Sequence, residues 1–238
     1  MNKTMLENRI AVITGASSGI GKAIACKYAA EGAKVVVASR NLLACETVVK
    51  EINNNGKDAV AISCDVRNEQ EIISLFDNVI EKYGHIDIVV ANAGISGGKK
   101  RVEEYSLEEW NNVMATNLTG VFLTAREAFK RMKTRGGHIL VLSSQAGIEG
   151  YAEKGAYCAS KFGVRGLAHS LGEEGRKHNI NVTAICPGTV DTPILAVSNT
   201  KVKNPMSTEA VADAALYLAC LQGNSIVRDL LLERMIMN

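Results

Sequence analysis

Seven short runs rich in apolar, β-branched residues, separated by segments long enough to be helices, constrain this chain more than any other feature of its sequence. The runs are Arg9 to Thr14, Lys34 to Ser39, Ala59 to Ser63, Ile86 to Ala91, Gly137 to Ser143, Asn181 to Cys186 and Ile226 to Leu232. Several are apolar almost throughout, as in Val35-Val36-Val37 and Ile88-Val89-Val90. A strand with one wet face alternates polar and apolar residues, so a continuous apolar run must be covered on both faces. Helical segments of at least ten residues fill most of the intervals, which makes successive strands parallel and joins them by right-handed crossovers. The expectation is a doubly wound α/β fold, a three-layer sandwich around a seven-stranded parallel sheet. With 238 residues and 47% hydrophobic content, the chain can bury the core of one such domain, read here as residues 1–238. All three prolines, Pro187, Pro193 and Pro205, follow the sixth run and mark an irregular segment there.

Several function classes are disfavoured by what the chain lacks. A formal charge of +2 and the absence of any run of five like charges argue against nucleic acid or an anionic membrane as partner. The most basic cluster, Lys99-Lys100-Arg101, reads as a solvated loop. No segment reaches the roughly 18 apolar residues that span a bilayer, and Met1 to Glu7 lacks the apolar core of a signal peptide, so a soluble cytoplasmic protein is expected. The six cysteines stand singly, with no C-x-x-C spacing, and read as reduced thiols packed as small hydrophobes. The four histidines form no H-E-x-x-H pattern and no pairing with cysteine at zinc spacing, so no metal is assigned.

Two stretches carry chemistry. Gly15-Ala16-Ser17-Ser18-Gly19-Ile20-Gly21 follows the first strand and opens the helix Lys22 to Ala30. Glycines let backbone approach a pyrophosphate, and a helix N-terminus offers it unpaired N–H groups and partial positive charge. A tight turn without a ligand is the bland alternative; the position between strand and helix in a first βαβ unit favours a nucleotide and a Rossmann-type fold. The second stretch runs from Ser143-Ser144 to Tyr157 and Lys161. If Gly155 onward is helical, Tyr157 and Lys161 are an i, i+4 pair on one face. Tyrosine titrates near 10, and a Lys charge about 4 Å away at an effective dielectric of about 20 is worth on the order of 4 kcal/mol. The expectation is a phenol depressed by a unit or more, although the same spacing also occurs on ordinary helix surfaces.

Together, Thr14-Gly15-x-x-x-Gly19-x-Gly21 and Tyr157-x-x-x-Lys161 resemble the short-chain dehydrogenase/reductase family. Further matches are Asp65-Val66, Ala91-Asn92-Ala93-Gly94, Asn117 and Gly120 at N-x-x-G, Ser144, and Pro187-Gly188, in the family's order over residues 9 to 193. The resemblance implies a catalytic set of Asn117, Ser144, Tyr157 and Lys161. Tyr157 is then the general acid/base, Ser144 a donor to the substrate oxygen, and Lys161 a ligand of the nicotinamide ribose. Asn117 holds a water that connects Lys161 to solvent. It also implies that Gly15, Ser17, Ser18, Gly19, Ile20 and Gly21 meet the pyrophosphate, that Asp65 and Val66 meet the adenine, and that Asn92, Ala93 and Gly94 line the cofactor. Pro187, Gly188, Val190 and Thr192 lie by the nicotinamide. Asn117 falls inside the apolar stripe of a helix read from Ser106 to Lys133, with Trp110, Val113, Met114, Leu118, Val121, Phe122, Ala125 and Phe129; a core hydrogen bond without chemistry is the competing reading. Gly120 in mid-helix points to close approach of another element.

The activity so implied is hydride transfer between nicotinamide and a carbonyl or secondary-alcohol substrate. A sensor or scaffold that binds cofactor without turnover is the alternative. At the end of the second strand, where NAD sites usually carry Asp or Glu, this chain has Ser39-Arg40-Asn41, which favours NADP(H) through a guanidinium on the 2′-phosphate. A short substrate lid is expected near 189–206. The helix from Gly155 to Lys177 is rich in Gly and Ala, and the resemblance implies that it pairs with the preceding helix across a two-fold axis, giving a homodimer or homotetramer.

Overall fold

A computed structural model of the protein describes residues 4–197, 202–221 and 225–235. Seven strands form one parallel sheet: β1 (Ile10–Thr14), β2 (Lys34–Ser39), β3 (Ala59–Ser63), β4 (Ile88–Ala91), β5 (Gly137–Leu142), β6 (Ile180–Pro187) and β7 (Asp229–Leu232), in the order β3-β2-β1-β4-β5-β6-β7. The chain winds outward to β3, returns to pair β4 with β1, and winds the other way. Strand order therefore reverses between β1 and β4, and a crevice opens beyond their carboxyl ends.

Alternation along each strand divides the core between two helical layers. Ala11, Ile13, Val35, Val37 and Ile88 face α1 (Gly19–Ala30), α2 (Leu42–Asn54) and α8 (Thr208–Ala219), against side chains such as Ile24, Val48 and Leu216. Ile10, Val12, Val36 and Val89 face the other way, toward Phe76 of α3 (Glu69–Tyr83), Val121 of α5 (Gly120–Met132) and Val164 of α6 (Gly155–Gly175). Both faces are sealed, as the continuous apolar strands require. The edge strand β7 is tied to α6: Asp229 accepts from Arg165 Nε and Nη2, each at 3.0 Å, and contacts His169 Nε2 at 2.9 Å.

The strand boundaries shift for local reasons. β4 starts at Ile88 rather than Ile86; Asp87 leads into it, its N–H donating to the Ile10 carbonyl at 3.0 Å, its carbonyl accepting from the His138 N–H at 2.9 Å and its side chain accepting from the Ile10 N–H at 2.8 Å. β7 begins three residues late, since Val227 spends its carbonyl on the Thr183 hydroxyl at 2.6 Å and ladder pairing opens only at Ala184 and Asp229.

The helix expected from Ser106 to Lys133 is two helices. α4 (Leu107–Met114) passes through a wide π turn, Ala115–Thr119, into α5. The extra residue in that turn rotates the downstream face, and Phe122, expected in the apolar stripe, is 41% exposed, with the Arg126 guanidinium 5.5 Å from its ring. Val113, Val121, Ala125 and Phe129 are buried as expected. A Cβ added at Gly120 would stand 2.7 Å from Val66 Cγ2, so the close approach inferred for this glycine is to the segment after β3.

That contact predicts coupled stabilities. Gly120→Ala should destabilise the fold by about 1–3 kcal/mol through overpacking, and Val66→Ala should recover part of that loss. Chemical denaturation of both single variants and the double variant measures it; additive effects would mean that the two residues do not touch.

Candidate active site

The glycine turn lies at the crevice between β1 and β4, and its shape is dictated by what crosses it. Gly15 has φ +64°, and a Cβ there would lie 2.7 Å from Ala93 Cα, so the turn and the loop after β4 pass almost backbone to backbone. Asn92 fastens them, its Nδ2 donating to the carbonyls of Thr14 at 2.9 Å and Gly15 at 3.1 Å. The Asn92 side chain is therefore a strut for the turn. Ser18 precedes α1 without a side-chain cap, and the first turn carries no acid. The opening N–H groups of α1 are left for an anion.

At the end of β2, Ser39 and Asn41 serve the local fold. Asn41 Oδ1 caps α2 by accepting from the Ala44 N–H at 3.1 Å, and the Asn41 N–H donates to Ser39 Oγ at 3.3 Å. Arg40, between them, is exposed. Asp65 is more committed than its sequence position suggests: Oδ1 accepts from the Arg67 backbone N–H at 3.0 Å and Oδ2 from Arg67 Nη2 at 2.6 Å. Arg67 above all, with a smaller contribution from Arg40, holds this carboxyl below its usual range.

The candidate catalytic side chains meet where β5 ends and α6 begins. Ser144 Oγ accepts from the Ala146 N–H at 3.1 Å, fixing the hydroxyl, and stands close enough to the Tyr157 phenol to lower its pKa. Ser143, one residue earlier, donates to the Lys161 carbonyl at 2.9 Å, a structural role. Lys161 is buried, its Nζ donating to the Leu142 carbonyl at 2.7 Å and lying 5.6 Å from the Tyr157 ring centroid.

These contacts correct the expected electrostatics. Burial pushes the Tyr157 phenol above its ordinary value, and the nearby Ser144 hydroxyl only partly offsets it. Lys161 does not depress it: the ammonium is turned toward the Leu142 carbonyl, and burial brings its own pKa down to about 8. Desolvation disfavours the charged form of both groups, and in this site it outweighs their mutual attraction.

Asn117 sits in the π turn, fully buried. Its Oδ1 accepts from the Ile95 N–H at 2.8 Å while Nδ2 donates to the Ile95 carbonyl at 2.9 Å and to Ser160 Oγ at 3.2 Å. The side chain thus locks the loop after β4 onto α6, the core hydrogen bond that competed with a water-holding role. A Cβ on Gly94 would stand 3.3 Å from Asn117 Oδ1 and 3.7 Å from Lys161 Nζ, so this loop, Asn117 and Lys161 come together at one point.

A continuous cleft of about 1210 Å³ runs along the carboxyl edge, and every candidate residue from the sequence lines it except Gly21 and Asn117, which pack behind its wall. Past β6, Val190 bridges Met206 and the short α7 (Pro193–Val197) follows; Ile194 and Leu195 line the cleft. Residues 198–201 of the expected lid lie outside the described residues. The cleft also takes in Lys99, Gln145, Tyr151 and Lys154. Lys154, at the N-cap of α6 three positions before Tyr157, was detectable by that spacing; Lys99 stood out only as part of the basic cluster read as a solvated loop.

Comparison with known proteins follows the same geometry. A family model described as short chain dehydrogenase matches residues 9–203. A 3beta-hydroxysteroid dehydrogenase of Mediterraneibacter gnavus is 39% identical over 201 residues, 84% of this chain and 73% of that protein. Among solved structures, an alcohol dehydrogenase of Thermococcus sibiricus, complexed with 5-hydroxy-NADP, superposes with TM-score 0.88 at 31% identity, over 95% of this chain and 96% of that one. A 3-ketoacyl-(acyl-carrier-protein) reductase of Brucella melitensis, complexed with NADH, gives TM-score 0.88 at 28% identity, over 96% and 97%.

Two measurements test this arrangement. With Lys161 at about 8 in the fold against 10.5 for a free lysine, the unfolded chain binds the extra proton between those values. This group therefore makes stability rise as pH climbs from about 8 to 10.5. The difference in unfolding free energy between the protein and Lys161→Met should move in that direction across the window; a flat difference would contradict a buried ammonium. Asn117→Ala should cost about 2 kcal/mol or more by orphaning the Ile95 backbone, and hydrogen exchange at the Ile95 amide should accelerate in step.

Proposed function

The chain belongs to the short-chain dehydrogenase/reductase family of oxidoreductases, and from that footing we propose that it is an NADP(H)-dependent enzyme interconverting a carbonyl compound and a secondary alcohol, with Tyr157 as the general acid/base. The observation that carries the proposal is the convergence of the Ser144 hydroxyl and the Tyr157 phenol in one cleft with the glycine turn.

The residues present fit a nicotinamide dinucleotide. Only glycine fits at position 15, and the uncapped start of α1 suits a pyrophosphate. When bound, the nicotinamide supplies the hydride. The chain does the rest. Tyr157, kept protonated by burial, donates its proton to the developing alkoxide, and Ser144 stabilises the charge on that oxygen. A phenol that is protonated near neutral pH can serve as the acid in the reducing direction. Lys161, one turn further along α6, presents a cation to the ribose. Lys161, Asn117 and Gly94 come together in the wall of the cleft, with the loop after β4 held by Asn117 and the lysine held by the Leu142 carbonyl.

Selectivity for the phosphorylated cofactor rests on Arg40. No carboxylate stands at the end of β2 to repel a 2′-phosphate, and Arg40 is exposed beside Asp65, whose charge Arg67 already answers. The guanidinium is free of an ion-pair partner among the described residues and can take two phosphate oxygens in parallel hydrogen bonds. The cytoplasm is the proposed location, since all six cysteines are free thiols and no helix among the described residues is long and apolar enough to cross a membrane. A homo-oligomer paired through α5 and α6 is supported by Phe122 and Phe162, exposed on these helices.

The test is oxidation of NADPH and NADH with a panel of ketones, diketones and 3-oxoacyl esters. NADPH should give the higher kcat/KM, Arg40→Ala should remove most of that preference, and Ser39→Asp should shift it toward NADH. Tyr157→Phe should lower kcat by at least about a hundredfold. Equal kcat/KM for the two cofactors in the unaltered protein would refute the role given to Arg40; a Tyr157→Phe variant retaining more than a few per cent of activity would refute the acid.

A further inference from the structure

Two lysines stand at the substrate end of the cleft with no carboxylate to answer them. Lys154 occupies the N-cap position of α6, three residues before Tyr157, and both line the cleft. Its Nζ reaches across to the loop after β4 and donates to the Gly98 carbonyl at 3.0 Å. That loop is held in register by the bridge between Lys100 and Lys154 and by the Lys100 N–H donating to the Glu153 carbonyl at 3.0 Å. Gly97 and Gly98, at φ +70° and +77°, give the backbone the left-handed turn that delivers the Gly98 carbonyl and carries Lys99 to the cleft beside Lys154. Lys99 is exposed and, among the described residues, has neither hydrogen bond nor ion pair. Ser96, Gln145 and Tyr151 line the same end.

The acids nearby are occupied elsewhere. Glu109 pairs with Lys100, Glu149 accepts from the Tyr151 hydroxyl, and Glu149 and Glu233 act on Tyr151 rather than on Lys154. The one acid that lines the cleft among the described residues is Asp65, at the far end and bound to Arg67. An ammonium has three donors, and Lys154 spends one of them on a neutral carbonyl. Burial first, and then the neighbouring charge of Lys99, lower its pKa. A carboxylate placed between them would accept the unused donors and remove the repulsion.

We propose that Lys99 and Lys154 form an anion subsite that selects carbonyl substrates carrying a carboxylate. The proposal rests on the reductase reading of the cleft. The two lysines bind the substrate's acidic group and set its distance from Tyr157; they touch neither the transferred proton nor the hydride. A neutral ketone would leave both ammonium groups without a counterion and would be the poorer substrate.

The test compares benzoylformate and 3-benzoylpropanoate, each against its methyl ester, at saturating NADPH. At least one acid should exceed its ester in kcat/KM by about tenfold, which corresponds to about 1.4 kcal/mol, and added potassium chloride should erode that preference. Lys99→Glu and Lys154→Gln should each reduce the acid-to-ester ratio, mainly through KM. Lys99→Glu alone keeps the test valid if Lys154→Gln does not fold, since Lys99 bears no fold-holding contact. Esters reduced at least as well as both acids, or a ratio unmoved by either substitution, would overturn the subsite while leaving the reductase intact. If no carbonyl compound is reduced, the reductase reading fails and the subsite is judged by calorimetry with 3-phenylpropanoate. Binding by the unaltered protein and its loss in Lys99→Glu would support the subsite, and absence of binding would overturn it.

Discussion

A parallel sheet sealed on both faces leaves its strand ends as the place where polar chemistry can gather, and the rest of this molecule depends on that constraint. β1, β2 and β4 are buried along their middles, so none of their inward side chains can be functional without a large desolvation cost. The reversal of strand order between β1 and β4 then brings two carboxyl-end loops together. Their contact, with Gly15 against Ala93 and Asn92 donating to Thr14 and Gly15, forms the floor of the cleft.

The candidate catalytic side chains are held where charge is poorly solvated. Lys161 is buried against a carbonyl, and the Tyr157 phenol is pushed toward its neutral form; both would be more comfortable in water. The structure tolerates this because the backbone around them is over-determined. Ser143 bonds the Lys161 carbonyl, Asn117 pins Ile95 and Ser160, and the π turn that presents Asn117 is wedged between α4 and α5. Fixed, poorly solvated dipoles and charges are what an enzyme uses to stabilise charge that develops only during reaction.

Most of the architecture was legible in the sequence because it rests on period and length. Apolar runs such as Val35 to Val37, bounded by helix-length intervals, identify a parallel sheet from solvation alone, and the glycine turn announces the crevice. What stayed hidden depends on contacts distant in sequence. The π turn at Ala115–Thr119 leaves no periodic mark, so Phe122 was expected inside. Asn117 in an apolar stripe signalled a buried amide, yet only the fold shows its partner to be the Ile95 backbone. The pKa shifts were misjudged for the same reason: spacing along a helix brings Lys161 near Tyr157 but says nothing of the Leu142 carbonyl that draws the ammonium away. Lys99, read as part of a solvated loop, reaches the cleft through two left-handed glycines.

The central claim is that this cleft transfers a hydride to a carbonyl carbon rather than merely holding a nucleotide. The most direct measurement is a single turnover with NADPH deuterated at the transferring C4 position and an aryl ketone in excess, followed by mass spectrometry of the alcohol. The account predicts one deuterium on the carbinol carbon of the product, at a yield matching the NADPH oxidised. Tight NADPH binding with no label in any alcohol would contradict it and leave a cofactor-binding protein without turnover.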